Sequence, residues 1–411
     1  MVAIAALTQV ANYEFVHNYT NLNIQRYGIT LSVYSCNKAL AAVNSDSKPI
    51  QFWYSRWFKT ESFIMKNINK ISIDAKTVIW IPAATAAIYP WILEAFHWSV
   101  TPSISANPGT QLPTIAILTA SMMLIAAFAV PLINLMIASC PSQITGPAAA
   151  NVRARRFALL ALTTPTIYVF FGVLTYMTGS KIPDRWIWTP AWLLFGYLSS
   201  RSTDSVIPKH TRTSAGLRVA HGICGALAAL YVVFHISNHL FGLISPESHA
   251  AVMDIGRTVY RAKTIEPLLV AIMLFQIFSG LRLVWTYSET STDRYQMFQI
   301  ASGVFMSMFI LGHMNSVFIY ARTWLNISTD WAFATGLPTG LIHDAWNVRL
   351  LPHYALGVFF VLAHLCSGMR VVMLAHGAKV QVINRYWYAG VFLSILISMA
   401  IMCGMTGLRL V

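Results

Sequence analysis

The chain has 411 residues, of which 56% are hydrophobic and 10% charged, and Lys and Arg outnumber Asp and Glu by 28 to 14. A soluble protein needs roughly a quarter of its residues charged to cover its surface, so the composition and a mean hydropathy of +0.58 exclude that class. Apolar blocks of about 20 residues, long enough to cross a hydrocarbon core, exclude disorder, a collagen-like repeat and a disulfide scaffold as well. The expectation is an all-α, polytopic membrane helix bundle.

In chain order, residues 1–76 carry eight cations and no signal-peptide pattern. Glu14 and the scarcity of early arginines weigh against a mitochondrial import sequence. The aromatic-basic run Gln51 to Lys59 reads as a segment lying on the membrane or as a partly buried loop. Spans are predicted at 78–98, 114–139, 157–178, 186–200, 218–245, 264–287, 297–321, 353–375 and 387–408. The fourth, Trp186 to Ser200, is short and interrupted by Pro190. It is either a tilted span or a re-entrant segment, so the count is eight or nine.

With nine spans, the N-terminal segment and the even-numbered loops hold 18 cations, Arg218 at the edge of the fifth span included, against eight on the other side. This bias places the N-terminus on the cytoplasmic or matrix-like side. Cations beside apolar blocks set topology and meet lipid headgroups, so no nucleic-acid partner is expected. The polar stretch 201–217 divides an N-terminal membrane region (77–200) from a second membrane domain (218–411). Cys36, Cys140, Cys224, Cys366 and Cys403 show no CxxC or zinc-like spacing. Nor is there a nucleotide loop, a Ser/His/Asp set or a carboxylate pair. The first half offers few intramembrane polar groups, Asn134 and Tyr168 among them. Glu94 and His97, at the end of the first span, read as solvated or interfacial.

The second half contains an internal duplication. Gly225 is followed by His235-Ile236, and Gly303 by His313-Met314, each after nine residues. Gln276-x2-Ser279-Gly280-Leu281-Arg282 then matches His364-x2-Ser367-Gly368-Met369-Arg370. Two helices followed by a second copy predict a pseudo-symmetric four-helix (2+2) bundle with one extra span. At about 1.5 Å per residue, His235 and His313 both lie about 25 Å along their helices. Equal depth on facing helices is what a bis-histidine haem b needs. Ionisable groups at this depth are costly and usually functional, although a lone intramembrane His more often bonds a neighbouring helix. His239, one turn from His235, is an alternative ligand, and His221 lies on the same face. Arg282 and Arg370 occupy equivalent places, suited to haem propionates, lipid phosphate or a quinone carbonyl, or to snorkelling. His249, His343, His353 and His376 fall at loops or span ends and read as solvated or interfacial. Glu266-Pro267 reads as an ordinary helix start.

His364-x3-Gly368-Met369-Arg370 resembles the haem-ligand signature of the cytochrome b membrane subunits of succinate dehydrogenase and fumarate reductase. The paired-helix repeat resembles the single-chain, two-haem form of that subunit, over roughly residues 215–376. The resemblance implies haem b ligands at His364, His235 and His313, with electrons passing between partner subunits and quinone in a mitochondrial or bacterial inner membrane. Gln276 stands where the family pattern has His, which leaves one of two haems short of a ligand. Gln299-Ile-Ala-Ser302-Gly303 with His313, and Tyr260-Arg261, resemble a second group of this membrane fold, fungal mitochondrial adaptor proteins of organelle contact sites. That resemblance implies a haem-free adaptor or assembly protein. A transporter is the third expectation, disfavoured because the first half is not an inverted copy of the second.

Overall fold

The structure, a computed structural model, describes residues 73–101, 113–139, 144–145, 148–201, 215–289 and 293–410. Most of the predicted segment 1–76, with its Gln51–Lys59 run, and residues 202–214 of the linker lie outside them, as do Cys36 and Cys140.

The described residues are almost wholly helical. A turn at Ala75–Val78 leads into α1 (Trp80–Val100), followed by α2 (Thr114–Ser139), α3 (Ala148–Leu162), α4 (Thr164–Met177) and α5 (Asp184–Arg201). The second half contains α6 (Ala215–Leu240), α7 (Pro246–Tyr260), α8 (Ile265–Tyr287), α9 (Arg294–Met314), α10 (Leu350–Ala375) and α11 (Val380–Met405). Two-residue strands at Ile73–Asp74 and Ile144–Thr145 form a small parallel bridge. Seven of the described helices are long and apolar enough to cross a membrane, or eight if α3 and α4 count as one bent span. The chain is therefore a helical integral membrane protein.

Two spans differ from expectation. The predicted third span is not continuous, because α3 and α4 meet at 61° around Thr163. Pro165 has no N–H for the Ala161 carbonyl, and the Thr164 hydroxyl donates to that carbonyl at 2.6 Å instead. Thr163 does the same for Leu160 at 2.6 Å. Hydroxyls of this kind satisfy a broken helix away from water. The predicted fourth span is a helix, α5, but it is not among the seven: it has 18 residues and carries Asp184, Arg185 and Arg201. Its Trp188 and Trp192 turn inward, Trp188 donating to the Ala86 carbonyl of α1 at 2.7 Å.

In the second half α6 packs on α8, α8 on α9, and α9 on α10, while α6 also touches α10 and α11. These helices enclose a cavity. Local chemistry sets their ends: the Asp293 carboxylate accepts from Gln296 N–H to cap α9, and Ser245 caps α7 ahead of Pro246. Gly377, at φ +80°, ends α10 in a left-handed turn that favours glycine. Beyond Met314 the α9 chain continues as a π-helical stretch, Asn315–Leu325. Such widened turns cluster at functional sites. A continuous apolar core joins the two halves, from Ile79 and Tyr89 to Ile236, Leu350 and Ile401.

Candidate functional site

The cavity inside α6, α8, α9 and α10 measures about 1890 Å³, well above the roughly 300–1,000 Å³ of an ordinary small-molecule pocket. His221, His235, His239, His313, His364 and Arg370 all line it. Arg282 does not: its side chain is exposed on the outer face of α8, where snorkelling accounts for it. Arg370, although it lines the cavity, stacks over the Tyr295 ring at 3.8 Å and donates to Asn384 Oδ1 at 3.0 Å.

The histidines fall into two groups along the bundle. In the first, the rings of His235 on α6 and His313 on α9 lie 6.1 Å apart. His239 is 4.8 Å from His235, with their Nε2 atoms 3.4 Å apart. His313 makes no hydrogen bond through either ring nitrogen among the described residues, and stacks on Phe309 at 5.7 Å.

The second group is His221 and His364, on α6 and α10. His221 is 14 residues before His235, about 21 Å along the same helix. Its Nδ1 lies 2.7 Å from the Ser279 hydroxyl of α8, and that hydroxyl gives its own proton to the Phe275 carbonyl. Ser279 must therefore accept, so His221 carries its proton on Nδ1 and leaves Nε2 as a free lone pair. His364 repeats the arrangement with other helices. Its Nδ1 lies 2.9 Å from the Ser302 hydroxyl of α9, which donates to the Gln299 carbonyl at 3.0 Å. Holding one ring nitrogen so that the other can bind a metal is the usual second contact of a histidine ligand.

Two of the three Ser-Gly steps, Ser279-Gly280 and Ser302-Gly303, each receive one imidazole across the glycine, whereas Ser367 accepts from Trp387 Nε1 instead. A Cβ at Gly280 would stand 3.3 Å from His221 Cε1, and one at Gly303 would stand 3.2 Å from His364 Cε1. Gln276, like His364, lines the cavity. Its amide donates to the His221 carbonyl at 2.9 Å and packs beside Gly225. The sequence holds three Ser-Gly dipeptides, and the linear repeat, which aligned Ser279-Gly280 with Ser367-Gly368 and His364 with Gln276, did not mark the two that receive His221 and His364.

Two histidines expected at solvated span ends are buried. His249 on α7 is 2% exposed, because α7 folds its apolar face, His249, Met253 and Gly256, inward. Its ring lies 4.7 Å from Trp331 and 5.3 Å from His239, and Asn238 Nδ2 donates to its Nε2 at 3.2 Å. His353 is also 2% exposed, 4.7 Å from the Phe309 ring. By contrast, His343 and His376 are exposed. Glu94 and His97 are engaged by Arg185 at 3.2 Å and by the His343 carbonyl at 3.1 Å.

Among the described residues no three His, Cys, Asp or Glu side chains are grouped to hold a bare metal ion. A bis-imidazole haem needs only two. Metal–imidazole bonds of about 2 Å on each side, added to the two rings, separate their centres by about 6 Å, which matches His235 and His313. A bond at His235 Nε2 would replace its contact with His239. At Gly222 and Gly368, which also line the cavity, the space a Cβ would take is open. The residues fit the group. No protein-family model, curated protein or solved structure matches this chain.

Proposed function

We infer that the chain is a haem b-binding membrane anchor of the succinate dehydrogenase/fumarate reductase cytochrome b type. In this reading it moves electrons between a partner subunit and quinone. The observation that carries it is the pair of serine-held histidines, His221 and His364, each with an Nε2 lone pair on one large cavity. His221 takes the ligand role that Gln276 leaves open, and His235 and His313 form the second pair.

When bound, haem b supplies one-electron chemistry through its iron. The protein's part is to hold the imidazoles in one tautomer, to keep the low-dielectric interior dry, and to leave glycine backbone where a flat ring needs room. The test is an absorption spectrum of the detergent-purified chain. A Soret band that shifts on reduction is expected, partly lost in His221→Ala or His364→Ala and partly in His235→Ala or His313→Ala. A colourless, iron-free protein from haem-replete cells would sink the reading.

A second reading, the haem-free adaptor or assembly protein, draws on the His235–His239 and Asn238–His249 contacts, which engage the Nε2 atoms of these imidazoles without a metal. It expects all four alanine variants to behave as wild type and partner proteins to co-purify.

A further inference from the structure

The cavity has a basic rim that the haem reading does not use. Arg257 and Arg261, at the end of α7, and Arg322, at the end of the π-helical stretch, all line it where the chain leaves the membrane spans. Their carboxylate partners are few. Glu266 binds Arg322 through both oxygens, at 2.6 and 3.3 Å. Asp330 accepts from Ser328 Oγ and Phe333 N–H. Arg257 meets only Asp254, at 3.4 Å, and that carboxylate is 71% exposed, a weak arrangement. Arg261 contacts no carboxylate among the described residues; its Nη2 donates to Thr329 Oγ1 at 2.9 Å.

The same Thr329 holds Arg257, whose Nη2 donates to its backbone carbonyl at 3.2 Å. Two guanidinium groups are thereby fixed side by side on one residue. Arg257 Nε is buried with no hydrogen-bond partner, and a buried donor in a charged group is costly to leave unmet. Burial, with Arg257 and Arg322 close by, also pulls the Arg261 pKa below its ordinary value. Fixed, poorly compensated guanidinium groups make an oxyanion receptor. Directly inward the wall turns apolar, through Leu269, Val270, Met273 and Val317.

We propose that Arg257 and Arg261, beside the Glu266-paired Arg322, hold the phosphate of an anionic phospholipid whose acyl chains run into the cavity along α8 and the π-helical stretch. The occupant combines a headgroup charge with apolar length, as this wall does, and the rim lies at the level where headgroups sit. This reading does not depend on haem.

The test uses the full chain purified in detergent, with phosphatidic acid, phosphatidylcholine or inorganic phosphate added, and native mass spectrometry counting what stays bound. Phosphatidic acid is expected to bind wild type at least about tenfold more tightly than the Arg257→Gln/Arg261→Gln double variant, since charge-assisted hydrogen bonds of this kind are worth a factor of ten or more. Wild type is expected to prefer it to phosphatidylcholine. An Arg257→Lys/Arg261→Lys variant keeps both charges and is expected to fall between. Equal binding by wild type and both variants overturns the proposal. So does full displacement of the lipid by millimolar inorganic phosphate, which would mark a simple anion site. Soret absorbance read on the same samples separates this outcome from the haem question.

Discussion

His364 and Ser302 stand 2.9 Å apart, imidazole Nδ1 to hydroxyl. Because Ser302 gives its own proton to the Gln299 carbonyl, the bond fixes the His364 tautomer. Ser302→Ala removes this constraint without touching a ligand. Outer-shell partners of a metal-bound histidine are worth roughly 10–100-fold in affinity, so under the haem reading proposed above Ser302→Ala and Ser279→Ala are each expected to weaken haem binding by about that factor. Haem titration of the purified variants followed at the Soret band checks it, with an unchanged melting temperature showing that the bundle is intact. Titrations that overlay wild type would separate these serines from any ligand role.

Much of the fold was legible, because membrane spans announce themselves by length. The helices α6, α8, α9, α10 and α11 form around the apolar blocks predicted at 218–245, 264–287, 297–321, 353–375 and 387–408. What the sequence hid was partnership between helices. His221 finds Ser279 58 residues away and His364 finds Ser302 62 residues away, and no periodicity reports such pairings. The inward turn of α7 was equally hidden, since a polar-looking loop helix buries His249 only when a cavity mouth lies beneath it. Pro165 was the one local hint of the α3–α4 bend.

The joint between the two halves provides a second prediction. Arg349, just before α10, binds Asp184 at the start of α5 at 2.6 Å. The side chains are 9% and 15% exposed, and the guanidinium also stacks over Tyr168 at 4.5 Å. Breaking a buried pair from one side leaves an uncompensated charge and costs about 3–5 kcal/mol. Asp184→Asn or Arg349→Met should therefore lower the melting temperature in detergent markedly. The double variant should recover part of the loss, because neither charge is then stranded. Single variants melting with wild type would show that this ion pair does not hold the halves together.

Close packing near the cavity mouth makes a third. A Cβ on Gly242, in the turn after α6, would run into the Trp331 ring, and Trp331 is also the wall against which His249 rests. Overpacking of this kind costs about 1–3 kcal/mol. Gly242→Ala is expected to destabilise the chain by that amount in thermal unfolding. Combining it with Trp331→Leu, which clears the space, should relieve most of the added cost. Additive losses in the pair would place the clash elsewhere.

His249 lies outside the membrane spans and gives the chain a pH dependence that can be tested. Burial, with Arg257 nearby, holds its pKa down at about 4, against 6.5 for a free imidazole. Asn238 donates to Nε2, which favours the neutral ring. The unfolded chain therefore takes up a proton at a pH where the folded one does not. His249 stabilises the fold fully above pH 6.5; that contribution is lost progressively as the pH falls to about 4 and stays lost below it. One pH unit is worth about 1.4 kcal/mol, and screening at the partly exposed Arg257 brings the total to about 2–3 kcal/mol. His249→Gln keeps a polar side chain near Asn238 but does not titrate. Thermal unfolding at pH 7 and pH 4.5 should show wild type losing more stability than His249→Gln across that interval. Equal losses in the two proteins would mean that His249 becomes protonated as readily in the folded chain as in the unfolded one.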